Sequence, residues 1–335
     1  VLRLNRFEYL APESVADAVH ALNELGPDAT LMSGGTDLLV NIKHRLITPR
    51  YVIALRALPE LGAIDPLSDG GLRIGTAVTL HALEQYPAIC SGFPALACAA
   101  HMVSTPQVRA VGTLGGNVCL DTRCNYYNQS YEWRRAIGFC MKKDSPICRV
   151  APGGDRCWAV ASADTVPALV ALRAEALVAG PGGSRTVPIE RLYRDDGLVP
   201  LTLQFGEIVT AITLPPPAGW SCVYCKFRLR QSFDFPLVGA AVAVERDGNG
   251  LVTEARIVLT AVASYPERAE GAESILTGQP LSEESIAAAG QSVFRLAKPM
   301  DNTAGTIFHR KRMARILVER GLRELAGLGA STGAA

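Results

Sequence analysis

The sequence predicts an α+β fold, and three observations carry that expectation. The first fifty residues alternate strand and helix signals. The last third groups its strands before its helices, the pattern of an antiparallel sheet with helices on one face. Between the two, Pro215, Pro216, Pro217 and Gly219 make the clearest boundary in the chain. With 335 residues the chain can bury a full core without disulfide staples. The net charge of +1 gives no electrostatic footprint for nucleic acid or an anionic membrane, so neither partner is expected. No apolar run approaches the ~20 residues of a membrane span, and Val1 to Arg6 lack the apolar core of a signal peptide. A cytoplasmic location follows as the expectation, where disulfides are rare, so the nine cysteines read as thiols, metal ligands or small buried hydrophobes.

Taken in order, residues 7–10 are strand-like, and a helix beginning near Ser14 carries Val15, Ala18, Val19 and Leu22 on one face before stopping at Gly26 and Pro27. A short strand ending in Leu31 and Met32 feeds Ser33-Gly34-Gly35-Thr36-Asp37, and a short helix begins at Leu38. A strand, a glycine turn and a helix N-terminus together form a place to hold phosphate, although a plain tight turn has the same sequence. Strands at 51–55 and 71–75, a short helix at 79–84 and an apolar helix at 93–103 follow. His101, at the end of that helix, reads equally as a capping residue or as a cofactor contact. A second glycine turn, Thr113-Leu114-Gly115-Gly116-Asn117, lies roughly eighty residues after the first. Its glycines would leave backbone N–H groups free to approach an anion. Two such turns suit a ligand with two phosphates between extended ends, which describes a dinucleotide.

Residues 122–158 form a polar stretch far longer than the ~12 to 15 residues usual for a structureless loop. Tyr126, Tyr127, Tyr131, Trp133 and Phe139 argue against disorder, because aromatics are depleted in unfolded segments. Cys124, Cys140, Cys148 and Cys157 lie in it, with fifteen, seven and eight residues between them and no histidine. An all-thiolate set is soft and selects zinc or an iron-sulfur cluster. Zinc favours close ligand pairs, which are missing, whereas a cluster is wider and suits separated ligands. Helix is expected to resume at Ala159.

Beyond the loop the pattern gives a helix from Ala163, a hairpin of 174–179 with 185–188, and a strand at 206–214. Strands at 221–229, 238–245 and 255–262 follow, the last two joined by an Asp247-Gly248-Asn249-Gly250 turn. Helices are expected at 269–276, 282–296 and 303–325. Cys222 and Cys225 form a Cys-x-x-Cys, but within a strand they point to opposite faces and read as two separate small residues. The basic run from His309 to Arg312 reads as a solvated face.

The ordered motifs Ser33-Gly34-Gly35-Thr36-Asp37, Pro106-Gln107-Val108-Arg109, Thr113-Leu114-Gly115-Gly116-Asn117, Asp164-x-x-Pro167, Gly206-Glu207-Ile208-Val209 and Lys226-Phe227-Arg228 with Asp234-Phe235 resemble the FAD-binding medium subunits of the xanthine dehydrogenase and carbon monoxide dehydrogenase family. The resemblance implies a two-subdomain FAD-binding domain of the vanillyl-alcohol-oxidase (PCMH) type over residues 1–217, with subdomains of about 1–55 and 56–217, and a C-terminal domain over 218–330. It places the FAD pyrophosphate between the two glycine turns, with contacts at Leu31, Met32, Ser33, Gly34, Gly35, Thr36, Asp37, Leu38, Thr113, Leu114, Gly115, Gly116 and Asn117. His101 or Val103 would lie near the flavin, Asp164 or Asp121 near the ribityl chain, and Ile208 and Lys226 near the ring. The four-cysteine insert at 122–158 resembles that of the beta subunits of 4-hydroxybenzoyl-CoA reductases, where it implies a 4Fe-4S cluster on Cys124, Cys140, Cys148 and Cys157. Implied partners are a large molybdenum-binding subunit and a small 2Fe-2S subunit, in a dimer of heterotrimers, with ferredoxin as electron donor. The basic residues Arg134, Arg135, Lys142, Lys143, Arg149 and Arg156 would then help dock an acidic ferredoxin. The competing expectation is an FAD subunit delivering electrons to NAD or a quinone, with zinc in the insert.

Overall fold

A computed structural model describes residues 2–217 and 219–328; the expected domain limits at 1, 218 and 330 lie outside the described residues. The first sheet has three parallel strands in the spatial order Glu8–Leu10, Tyr51–Ala54, Ala29–Met32. Helix Val15–Leu25 covers it. Ser14 caps that helix by accepting the Asp17 N–H at 3.1 Å, and Ala18, Val19 and Leu22 form the face that meets Ile53 and Leu55.

The second sheet has five antiparallel strands in the order Ile64–Pro66, Leu72–Gly75, Ile208–Leu214, Glu175–Gly180, Gly183–Pro188. Its central strand, Ile208–Leu214, returns from far along the chain to pair with Leu72–Gly75. Helices Pro94–His101 and Thr165–Ala171 are buried in the large core behind this sheet. The third sheet runs Glu267–Arg268, Val252–Thr260, Val238–Arg246, Trp220–Phe227. Helices Glu270–Leu276 and Ile307–Ala326 pack on one of its faces, and Glu283–Leu296 packs against both of these helices. The opposite face, with Ala241, Ala243, Cys222 and Tyr224, joins the core of the preceding sheet. Both faces being covered explains why Val238–Arg246 reads apolar at almost every position instead of alternating. Cys222 and Cys225 fall on opposite faces, as expected.

Several expectations are corrected. Ala159 does not start a helix; the next one is Thr165–Ala171, and the stretch before it is held by bridges such as Arg123 to Val160. The insert, expected to lack regular structure, contains helix Tyr131–Ala136, capped by Ser130. Short helices Pro87–Gly92 and Pro106–Arg109 were hidden because their opening prolines read as breaks, although proline is tolerated in a first turn. The basic run at 309–312 is not wholly solvated. Arg310 is fully buried and donates to the carbonyls of Leu237 at 3.1 Å and Met300 at 2.7 Å, and to that of Ala261. Burial lowers its pKa to about 10. Among the described residues no helix is long and apolar enough to cross a membrane.

At the edge of the third sheet, burial and then the nearby Asp195 charge push the Glu267 carboxyl up to about 7. The folded state therefore prefers this group protonated. Its contribution to stability is complete below the ordinary value of 4.5 and is lost as the pH rises through about 7. Thermal melts across that window should show this loss, and Glu267→Gln should flatten it; an unchanged profile in the variant would assign the slope elsewhere.

Candidate functional site

Ser33, Gly34, Gly35, Thr36 and Asp37 connect strand Ala29–Met32 to helix Leu38–Lys43. Gly35 has φ of 69°, a left-handed conformation that disfavours any side chain. Gly34 is glycine for a different reason. A Cβ there would overlap the Val111 carbonyl and lie 2.9 Å from the Gly112 Cα, so the first turn is packed directly on the backbone leading into the second. Among the described residues, the N–H groups of Gly34, Gly35 and Thr36 make no hydrogen bond within the protein. Leu31, Met32, Leu38 and the turn residues except Thr36 are half-buried around them, and Thr36 is exposed.

The second turn is a short helix, Leu114–Val118, with Thr113 as its cap. Thr113 Oγ1 accepts the Gly116 N–H at 3.1 Å and donates to Ser33 Oγ at 3.0 Å, so the two turns touch. Free N–H groups were expected here, and the structure corrects this. Leu114 N donates to Val78 O at 2.9 Å, Gly115 N to Thr76 O at 2.9 Å, and Asn117 N to Thr113 O at 3.0 Å. The first turn therefore offers donors, while the second serves as the wall that places them. Asn117 Oδ1 accepts the Thr165 N–H at 3.1 Å and its hydroxyl at 2.7 Å, tying this wall to helix Thr165–Ala171.

Asp164 precedes that helix and is buried, with every contact made inside the protein. Tyr224 donates to its Oδ1 at 2.7 Å and Lys226 Nζ to its Oδ2 at 2.9 Å. Burial pushes the Asp164 carboxyl up and the Lys226 ammonium down, and each charge opposes the shift of the other. Lys226 also donates to Met102 O at 2.9 Å, beside Val103 and at the end of the helix bearing His101. His101 is itself exposed, with Nδ1 2.9 Å from Glu84. Glu84 also engages His81 and Arg109; burial pushes its carboxyl up, and these hydrogen bonds outweigh that and hold it below the usual range. The structure thus gathers Asn117, Asp164, Lys226, Val103 and His101 along one path. Ile208 lies apart, only 2% exposed in the core beneath the first helix. Lys226→Met would leave a carboxylate buried without its cation, which costs about 3 to 5 kcal/mol. A marked fall in melting temperature is expected, and an unchanged melt would show the pair to be dispensable.

The insert brings its four cysteines together. Cys124, Cys140, Cys148 and Cys157 are all buried and line one small cavity of about 10 Å³, with Leu46 packed alongside from the segment after the first turn. Burial pushes the Cys124 thiol up to about 12 and the Cys157 thiol up to about 11, so a thiolate at either position needs a cation to compensate it. Among the described residues no group of three or more His, Cys, Asp or Glu is arranged to hold a single metal ion. A cube of iron and sulfide holds four thiolates farther apart than one zinc ion does, and four cysteines facing one cavity are the donor set such a cube would require.

The expected basic docking face is corrected. Arg134 is buried and donates to His44 O at 3.0 Å and Arg45 O at 2.9 Å. Lys142 donates to Asp121 Oδ1 at 2.8 Å and Thr122 Oγ1 at 2.8 Å, which also commits Asp121 to the insert. Arg149 donates to Phe139 O at 2.9 Å, and Arg156 pairs with Asp195. Of the six, only Arg135 is exposed, with Lys143 half-buried beside Asp144. These charges hold the insert in shape because a segment with so little regular structure must satisfy its carbonyls with side chains. Arg134→Glu should therefore unfold the insert, seen as rapid cleavage near residue 134 in limited proteolysis; a protease-resistant variant would return Arg134 to the list of surface charges.

Sequence reasoning missed Arg123, Thr165 and Tyr224. Arg123 carried one signal, its place directly before the first cysteine, but its partner Asp37 is visible only in three dimensions.

Residues 5–217 match the family described as the FAD binding domain in molybdopterin dehydrogenase, and residues 223–325 match the CO dehydrogenase flavoprotein C-terminal domain. The carbon monoxide dehydrogenase medium chain of Hydrogenophaga pseudoflava is 32% identical over 321 residues, covering 95% of this chain and 96% of its own. The putative xanthine dehydrogenase FAD-binding subunit of Escherichia coli (strain K12) is 28% identical over 295 residues, covering 87% and 86%. Among solved structures, a carbon monoxide dehydrogenase from Hydrogenophaga pseudoflava aligns with a TM-score of 0.80 at 29% identity, covering 98% of this chain and 100% of that one.

Proposed function

The chain belongs to the FAD-binding medium subunits of the carbon monoxide and xanthine dehydrogenase family, and from that premise we propose that it is the FAD and 4Fe-4S electron-transfer subunit of a molybdenum-containing 4-hydroxybenzoyl-CoA reductase. Its fold is the mixed α+β arrangement of a PCMH-type FAD-binding domain followed by an antiparallel sheet domain. When bound, flavin and cluster together would carry electrons from reduced ferredoxin toward 2Fe-2S clusters and the molybdenum site on partner subunits, for reductive removal of an aromatic hydroxyl. The observation that carries the reading is the convergence of four buried cysteines on one cavity, within the same chain as the two glycine turns.

The chain's own residues have distinct tasks in this reading. Gly34, Gly35 and Thr36 present N–H donors to the pyrophosphate, as open backbone amides at a helix start do for anions. Thr113, Leu114, Gly115, Gly116 and Asn117 fix the distance of the facing wall. Leu31, Met32 and Leu38 flank the dinucleotide. The Asp164, Tyr224 and Lys226 network holds the Met102 and Val103 corner against which the ring would rest, acting by position because its polar atoms are already paired. Cys124, Cys140, Cys148 and Cys157 supply thiolates to the cluster. The proposed assembly is a large molybdenum-binding subunit, a small 2Fe-2S subunit and this chain, as a dimer of heterotrimers.

Iron, acid-labile sulfide, zinc and flavin analysis of the purified complex tests the cofactors, and ferredoxin-driven dehydroxylation of 4-hydroxybenzoyl-CoA tests the substrate. About four irons with matching sulfide per chain are expected for a 4Fe-4S site. Zinc without sulfide, together with reduction of NAD or a quinone, would overturn the reading in favour of an ordinary flavin subunit with a zinc staple.

A further inference from the structure

We infer that Arg123 is the residue through which the four-cysteine insert completes the flavin site, by neutralising Asp37 in the first glycine turn. This rests on the reading that FAD occupies the two turns. Arg123 stands at the neck of the insert, where its backbone exchanges hydrogen bonds with Val160 at 2.9 and 2.8 Å, and it directly precedes Cys124. Its side chain leaves the insert. Nη1 donates to Asp37 Oδ1 at 2.7 Å, and the guanidinium carbon lies 4.1 Å from the centre of the Phe235 ring. The other Asp37 oxygen accepts Asn41 Nδ2 at 2.8 Å, so both oxygens are engaged within the protein and Asp37 would act on the flavin through its charge, not as the direct contact the resemblance implies. Both charged side chains are about one-quarter exposed or less, at 20% and 24%, so water screens them only in part.

The need for the pair follows from Asp37's position. It directly follows Thr36 and adjoins N–H groups suited to an anion, where an uncompensated carboxylate would repel a pyrophosphate. Arg123 cancels that charge, and its guanidinium lies over the Phe235 ring. Asp37 in turn orients the neck of the insert toward the turn. The insert is thereby part of the flavin site's electrostatics and not an appended module.

Deflavinated complex carrying Arg123→Gln, Asp37→Asn, both, or Arg123→Lys can be titrated with FAD and followed by flavin fluorescence, with iron counted in each sample. Arg123→Gln should weaken FAD binding about tenfold, a typical size for coupling between sites. Asp37→Asn alone should bind at least as tightly as wild type. The double variant should recover to within about twofold of wild type, and Arg123→Lys should retain most of the affinity, because only the charge balance is at stake. Iron per chain should stay constant throughout. If the double variant binds as weakly as Arg123→Gln, or if Asp37→Asn alone loses the flavin, charge compensation is wrong and one of these residues touches FAD directly. A wild-type complex that takes up no FAD would overturn the flavin assignment itself, a failure distinct from either.

Discussion

Replacing Cys140 by Ser should strip the proposed cluster's iron from the complex while FAD remains bound. Cys140 is 5% exposed and shares its cavity with the other three cysteines, so its loss removes a quarter of the ligand set at a site shielded from replacement ligands. Serine offers a harder oxygen, a poorer ligand than a thiolate for an iron-sulfur cluster. The turns that would hold FAD make their mutual contacts through Ser33, Thr113, Gly34 and Val111, none of which touches Cys140. Metal analysis should fall from about four irons per chain to nearly none, with the flavin absorbance intact. Ferredoxin-driven reduction should be lost with it. Cys90→Ser, at an exposed cysteine outside the insert, is the control expected to change nothing. Full ferredoxin-driven activity in the iron-free Cys140→Ser complex would remove the insert from the electron path.

Gly34→Ala should weaken FAD binding about 5- to 150-fold while leaving the iron of the proposed cluster in place. The added methyl would overlap the Val111 carbonyl, which is backbone and cannot rotate away. Relief requires the two turns to separate, which breaks the 3.0 Å bond from Thr113 to Ser33 and turns the free N–H groups from their shared target. Overpacking of this kind costs about 1 to 3 kcal/mol, and concentrated on one ligand site it corresponds to a loss of about 5- to 150-fold in affinity. The flavin-to-protein ratio of the purified complex is the readout. Gly182→Ala, at a hairpin turn with open space around it, should leave the ratio unchanged. A Gly34→Ala complex with full flavin would show that the first turn is not the anion clamp.

Much of this was legible in order along the chain. The Ser14 cap, the strand ending at Met32, the Asp247 to Gly250 turn and the helical period of residues 282–296 are local signals, and local hydrogen bonding and side-chain period produced the elements expected of them. The site was legible as far as residue type goes: two glycine turns and four cysteines. Which donors remain free at those turns was not. Gly115 and Gly116 carry the same motif chemistry as Gly34 and Gly35, yet their N–H groups are taken by Thr76 and Thr113, partners set by the packing of distant segments. Six of the insert's seven basic residues looked like a surface because charge usually is, whereas most of them turn inward, Arg149 onto the Phe139 carbonyl within the insert and Arg134 and Lys142 onto His44 and Asp121 outside it.

By itself the sequence determined the order of elements, the two turns and the presence of four thiols in one insertion, because each of these is carried by neighbours a few residues apart. Only the tertiary structure decided that the thiols share one cavity, that Asp164 is paired with Lys226, that Ile208 belongs to a core, and that Arg123 reaches Asp37. These relations join residues far apart in the chain. Their energies depend on burial and on which partner fills each remaining hydrogen bond, and no local pattern of residues encodes either.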